Sequence, residues 1–128
     1  MLLSNFAHRR QRHESDCLVA CAHMALEQIG IQIDYARLAR LLRAGEQFTP
    51  FSNLRFLETL GLAVTLGYGD SALFTRYLEV GLPVLVSVKT VDWKHWRDEI
   101  VEHAVVVVGI DENRQIIYIN DPFFSEAP

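Results

Sequence analysis

The sequence predicts an α+β fold in which N-terminal helices pack on a C-terminal antiparallel sheet. Apolar residues recur at helical spacing in the first half of the chain, whereas the second half carries short, continuous runs of β-branched residues. Helical segments that precede strands in this order are typical of α+β domains. A glycine also follows each of the first three helical segments, where many helices end.

The predicted helices cover residues 16–29, 34–44, 53–60 and 71–80. The first begins near Ser15 or Asp16, since both residue types are favoured N-caps. Its apolar positions repeat three and four residues apart, so one stripe of the helix is expected to face the core. That stripe consists of Leu18, Ala22, Ala25 and Ile29.

The predicted strands cover residues 62–66, 83–88, 103–110 and 115–120. The runs "PVLVSV" and "HAVVVVGI" show little polar alternation, so both strands are expected to be buried on both faces of the sheet. A turn at 111–114 joins the last two strands into a hairpin.

With 128 residues, half of them hydrophobic, the chain is expected to form one domain over 1–128 with a packed core. A net charge of −4 and only short basic runs argue against a nucleic-acid partner. No apolar run approaches the ~18 residues that a membrane span needs. Because the last predicted strand ends near Asp121, a continuation of the sheet beyond residue 128 stays an open alternative.

The two cysteines, Cys17 and Cys21, lie four residues apart at the start of the first predicted helix. Helix geometry makes a disulfide between them strained, so we expect a reducing, cytoplasmic location. Cys17 falls in the first turn, where unsatisfied backbone N–H groups and the helix dipole favour a thiolate. This position and expected access to solvent predict a nucleophile, whereas Cys21 lies deeper and is predicted to be a core residue.

A thiol nucleophile needs a base, and the base needs an acceptor that orients it. His103 opens the strand 103–110, and Asp121 ends the next strand of the same hairpin. The turn sets residue 103 opposite about residue 122, so His103 and Asp121 are expected to be adjacent at one end of the sheet. Gln11, six residues before Cys17, is a candidate donor to the oxyanion of an acyl transfer.

A zinc site is the main alternative of another chemical kind, with Cys17, Cys21, His13 and His23 as its candidate ligands. On a helix, His23 lies about 60° from Cys17 but about 160° from Cys21, which is poor geometry for shared ligation. We therefore expect neither a metal ion nor another cofactor.

Three motifs stand out together: "Q-x4-D-C-x3-C" at 11–21, "HAVVVVGID" at 103–111 and "INDP" at 119–122. In combination they resemble the double-glycine leader peptidases that process bacteriocins, a family of papain-like cysteine peptidases. The resemblance implies a papain-like α+β fold. It also implies a catalytic set with Cys17 as nucleophile, His103 as base, Asp121 as orienting carboxylate and Gln11 as oxyanion donor.

Transporter-linked members of that family typically have glycine after the nucleophile, where this chain has Leu18, and segments 49–58 and 81–90 look like those of stand-alone relatives. We therefore expect a stand-alone cysteine peptidase with a peptide or protein substrate, while association with a transporter stays open. A thiol acyltransferase or amidase, and a catalytically silent peptide-binding domain of the same fold, also stay open. The candidate substrate-binding residues are Asp16, Trp93 and Trp96.

Overall fold

A computed structural model of the protein describes residues 2–3, 6–13, 15–45, 49–89 and 102–124. The described residues form helices first and strands second, so the predicted α+β order is confirmed. The elements are α1 (Cys17–Gln28), α2 (Tyr35–Leu41), a 3₁₀ helix (Phe51–Leu60), α3 (Ser71–Glu79), β1 (Val84–Lys89), β2 (Glu102–Asp111) and β3 (Ile116–Asn120).

The strand β2 is the centre of an antiparallel sheet in the order β1-β2-β3. One of its faces, with Val106 and Val108, packs into the cluster that contains α1, and the other packs Val107 against Leu78 of α3. Residues 103–110 are all buried, which confirms the prediction of a strand covered on both faces. The same prediction was wrong for β1, which is an edge strand and only partly buried.

The helix α1 is largely buried. The helix contacts β2, α2 and β1, so burial extends around it instead of following one stripe. The buried residues are Cys17, Leu18, Val19, Ala20, Cys21, Ala22, Met24 and Leu26. Of the predicted stripe, Ala25 is half-buried and Ile29, beyond the helix end, is exposed.

Acidic side chains start two of the helices. Asp34 accepts a hydrogen bond from the backbone N–H of Arg37, and Asp70 accepts one from Leu73, which satisfies first-turn donors of α2 and α3. Helix α2 ends earlier than predicted, because Arg43 adopts a left-handed conformation with φ of 57°.

Across the described ranges, no helix combines the length and the apolar character that crossing a bilayer requires.

The predicted strand 62–66 is absent from the sheet that the described residues form. The alternation of apolar residues is real, since Leu62, Val64 and Leu66 are half-buried against the core and their neighbours are exposed. Alternation directs side chains to one face, but a strand also needs a neighbouring chain to accept and donate its hydrogen bonds. The alternation in 62–66 therefore predicted the buried side chains correctly, but the prediction of a paired strand was wrong.

The β2–β3 hairpin differs from the predicted register in two places. Asp111 pairs with Ile116, so the turn covers 112–115, one residue later than predicted, and Gln115 takes a positive φ of 57°. A bulge between Val107 and Gly109 then shifts the register by one residue.

Candidate active site

Cys17 is the first residue of α1, as predicted. Within the described part of the chain no side chain caps this helix, so first-turn backbone N–H groups keep hydrogen-bonding capacity near the sulfur. The expected access to solvent is not observed, because Cys17 is only 2% exposed. Its side chain instead lines a small cavity of about 40 Å³.

His103 and Asp121 are in direct contact. Nε2 of the imidazole and Oδ1 of the carboxylate are 2.5 Å apart, and both side chains are buried. The same Oδ1 accepts a hydrogen bond from the backbone N–H of Phe123 at 3.0 Å, which fixes the carboxylate. The predicted adjacency of the two residues is therefore present.

The imidazole of His103 also connects Asp121 to Cys17. Burial alone lowers the pKa of His103, but hydrogen bonds to Asp121 and to Cys17 outweigh burial and raise that pKa to about 9. Because Nε2 faces Asp121, the other ring nitrogen, Nδ1, is the atom available to the sulfur. The three side chains thus form one hydrogen-bonded row that favours an imidazolium beside the thiol.

Asp121 follows directly after the last paired residue of β3. A bulge in β2 shifts the hairpin register by one residue, so that Val106 lies opposite Asn120. The backbone N–H of Phe124 donates to the carbonyl oxygen of Asp121, which closes a turn at this strand end. The side chains of His103 and Asp121 meet beside this turn.

Cys21 lies one turn further along α1 and is fully buried. Burial, and then the negative charges of Cys17 and Asp121, raise the pKa of the Cys21 thiol well above its ordinary value. A thiol that resists ionisation is a poor nucleophile, so the predicted distinction between a core cysteine and Cys17 agrees with this environment.

Asp16 occupies the N-cap position of α1 without capping it. Its carboxylate is buried and accepts hydrogen bonds from the backbone N–H of His13 at 2.7 Å and from the hydroxyl of Tyr35 at 2.6 Å. Both oxygens are thus used to hold the segment before Cys17 against α2. Contact of Asp16 with a substrate stays a prediction that these hydrogen bonds do not support.

Gln11 lies beside the end of β3. Its backbone N–H donates to the carbonyl oxygen of Pro122 at 2.8 Å, next to Asp121, and its side-chain Nε2 donates to the carbonyl oxygen of His13 at 2.9 Å. The segment that leads into α1 is therefore tied to the strand end that carries Asp121. The role of Gln11 as an oxyanion donor stays a prediction.

Trp93 and Trp96 lie outside the described residues. Within the described residues, no group of three or more His, Cys, Asp and Glu side chains is placed to hold a metal ion.

Sequence reasoning missed Thr49, whose buried side chain lines the cavity beside Cys17. The segment "TPFSN" indicated a turn, and nothing in it shows that Thr49 lies beside the cavity that Cys17 lines.

A cysteine at the start of a buried helix, beside a histidine of an antiparallel sheet, is the arrangement of a papain-like fold. The family model described as Peptidase_C39 like family matches residues 3–127, and the chain belongs to this family. No curated protein sequence matches the chain significantly. The family match confirms the predicted papain-like fold and the predicted relationship to this group of peptidases.

Proposed function

We propose that this protein is a cysteine peptidase that cleaves peptide bonds through a thioester with Cys17. The hydrogen-bonded row of Cys17, His103 and Asp121 is the observation that carries the proposal. A raised pKa keeps His103 protonated near neutral pH, and an imidazolium stabilises a thiolate next to it. The family to which the chain belongs supports the same chemistry.

Each proton has a place in the proposed reaction. The Cys17 thiolate attacks the substrate carbonyl carbon, and the electron pair of the C=O bond moves to oxygen to form the oxyanion. When the oxyanion collapses, the C–N bond breaks and His103 gives its proton to the leaving amine. His103 then takes a proton from water, the hydroxide attacks the thioester, and the acid product leaves as Cys17 regains its thiolate.

The substrate in this proposal is a peptide or protein, encountered in the cytoplasm. The resemblance of the motifs to double-glycine leader peptidases makes a leader peptide the first substrate to examine. Burial of the row in the described structure restricts access to Cys17, which favours an extended peptide segment over a folded surface.

Thiol labelling followed by mass mapping tests the central role of Cys17. With iodoacetamide near neutral pH, we expect the native protein to be labelled at Cys17 and not at Cys21. The Cys21→Ala variant is the matched control and should label as fast as the wild type, while Cys17→Ala should not label. Equal labelling of the two cysteines in the folded protein would contradict the proposed nucleophile.

A peptidase assay then separates an enzyme from a silent binding domain. A synthetic leader peptide ending in Gly-Gly, fused to a reporter peptide, should be cleaved by the wild type and by Cys21→Ala but not by Cys17→Ala. Binding of the peptide without cleavage by any form would favour the silent binding domain. Transfer of the acyl group to an added amine in preference to water would favour an acyltransferase.

A further inference from the structure

Among the residues that the structure describes, none forms a hydrogen bond with the buried hydroxyl of Thr49. The residue is 5% exposed, and its Oγ1 is out of contact with solvent. Leaving a buried polar group unsatisfied destabilises a folded protein, and most native structures avoid it. An isosteric valine would remove this cost, so the hydroxyl calls for an explanation other than packing.

The cavity beside Cys17 supplies that explanation. Thr49 and Cys17 line the same space of about 40 Å³, and the rest of its lining is mainly apolar. The other lining residues are Leu18, Pro50, Phe51, Ser87 and Ala104. Ser87 is exposed, so the cavity lies near the surface. A space of this size takes one carbonyl oxygen or a methyl group and excludes a large side chain.

We propose that Thr49 is a substrate-binding residue whose hydroxyl donates a hydrogen bond to a backbone carbonyl oxygen of the bound peptide. This inference rests on the proposed peptidase function. A backbone carbonyl is the one acceptor that every peptide brings, and it would satisfy the hydroxyl in the apolar surroundings of the cavity.

The carbonyl that Thr49 binds is distinct from the one that Cys17 attacks. The candidate oxyanion donor Gln11 belongs to segment 8–13, and among the described residues none of that segment lines the cavity. Thr49 therefore contacts the peptide away from the oxyanion, on the side of Cys17 formed by Leu18 and Ala104. Its loss should weaken peptide binding and leave the chemistry of the thiolate unchanged.

The test uses Thr49→Val, which removes the hydroxyl at nearly constant shape, and Thr49→Ser, which keeps it. The probe is the peptide aldehyde acetyl-Ala-Ala-alaninal, whose small side chains suit the cavity. Its Kd is measured by how strongly it protects Cys17 from iodoacetamide. Thr49→Val should raise this Kd about 5–10-fold, the usual effect of one lost hydrogen bond, and Thr49→Ser should stay near the wild type.

Thermal stability provides a second readout, because removing a hydroxyl that stabilised the fold would lower Tm. Thr49→Val should raise Tm by a few degrees because it removes an unsatisfied buried hydroxyl. The rate of iodoacetamide labelling without the aldehyde should stay within about twofold of the wild type. Thr59→Val is the matched control, because the Thr59 hydroxyl is exposed and donates to the carbonyl oxygen of Phe56. If Thr49→Val folds poorly, Thr49→Ala provides the hydroxyl-free form.

Three results would overturn the proposed role of Thr49. An unchanged aldehyde Kd in folded Thr49→Val would overturn the binding role and leave the peptidase function standing. Acylation by p-nitrophenyl acetate, which offers only the reacting carbonyl, should be unaffected; a decrease parallel to the loss of aldehyde binding would place the hydroxyl at the oxyanion instead. A wild type in which Cys17 reacts with neither iodoacetamide nor the aldehyde would overturn both proposals.

Discussion

Nε2 of His103 and Oδ1 of Asp121 lie 2.5 Å apart, although the residues are separated by 18 positions along the chain. Asp121 directly follows Asn120, the last residue of β3, which lies opposite Val106 of β2. The carboxylate is itself held by the backbone N–H of Phe123. The orientation of the imidazole therefore rests on backbone geometry as well as on side-chain chemistry.

Replacing Asp121 by asparagine tests whether its negative charge, and not only its side-chain volume, is needed to orient His103. Asp121→Asn keeps the volume but removes the negative charge that raises the pKa of His103, so we expect that pKa to fall below about 9. An amide also orients the imidazole less well, and peptide cleavage should fall by orders of magnitude, up to about 10⁴-fold. Steady-state kinetics and the pH dependence of Cys17 labelling measure the two effects.

Asp34→Asn is the control for this substitution. Asp34 caps α2 at the surface, and asparagine is an equally good N-cap, so its activity and pH profile should match those of the wild type. If Asp121→Asn cleaved peptides as fast as this control, Asp121 would have no orienting role.

The raised pKa of His103 also makes stability depend on pH. Its pKa is 6.5 in a model peptide and about 9 in the folded protein, so the folded state holds this proton more tightly. The resulting stabilisation is complete below about pH 6.5 and is lost as pH rises through about 9. From this group alone, the free energy of unfolding should decrease over that interval by at most about 1.4 kcal/mol per pH unit.

Urea denaturation at a series of pH values measures this dependence. Other groups titrate in the same interval, so the informative quantity is the difference between the wild type and Asp121→Asn. The variant should show a shallower decrease because its His103 has lost the carboxylate whose hydrogen bond contributes most to raising its pKa. Parallel curves for the two proteins would contradict the proposed coupling.

Tyr35→Phe tests the hydrogen bonds that hold the segment before Cys17. Burial, and then the hydrogen bond to Asp16, raise the pKa of Tyr35 well above its ordinary value. Without the hydroxyl, Oδ2 of the buried Asp16 loses its partner, so the free energy of unfolding should fall by about 1–3 kcal/mol. The surface variant Tyr68→Phe should be unchanged, since Tyr68 is fully exposed. A Tyr35→Phe protein as stable as that control would show that Asp16 needs no buried donor.

Local sequence signals predicted where helices and strands begin better than they predicted what each element packs against. The predicted helix starts at residues 34 and 71 lie within one residue of those observed, because a cap such as that of Asp34 or Asp70 is a local interaction between neighbouring residues. The burial of α1 on several sides was not predictable in this way, since it depends on β2 and α2 arriving from distant parts of the chain. For the same reason, the alternation in 62–66 could not show whether a neighbouring strand would be present.

In the candidate site, too, local features were predicted and features that depend on distant residues were not. The proximity of His103 and Asp121 followed from the hairpin, but the register was off because the turn lies one residue later than predicted. The bulge at Val108, which leaves no clear mark in a run of valines, then reverses part of that shift. Thr49 was missed because an unsatisfied hydroxyl is a property of the folded interior. Asp16 was assigned to substrate from its position, whereas its partner Tyr35 lies 19 residues away.

Gln11 provides the sharpest test of the oxyanion site, because its two candidate roles affect different reactions. A primary amide carries two N–H donors, so donation to His13 and donation to a substrate oxygen are compatible. If Gln11 stabilises the oxyanion, Gln11→Ala should lower kcat by roughly 10²–10³, and Gln11→Glu should be at least as harmful because it opposes a second negative charge. Alkylation of Cys17 by iodoacetamide forms no oxyanion and should change little. Equal losses of alkylation and cleavage would mean that Gln11, through His13 and Pro122, supports only the placement of Cys17.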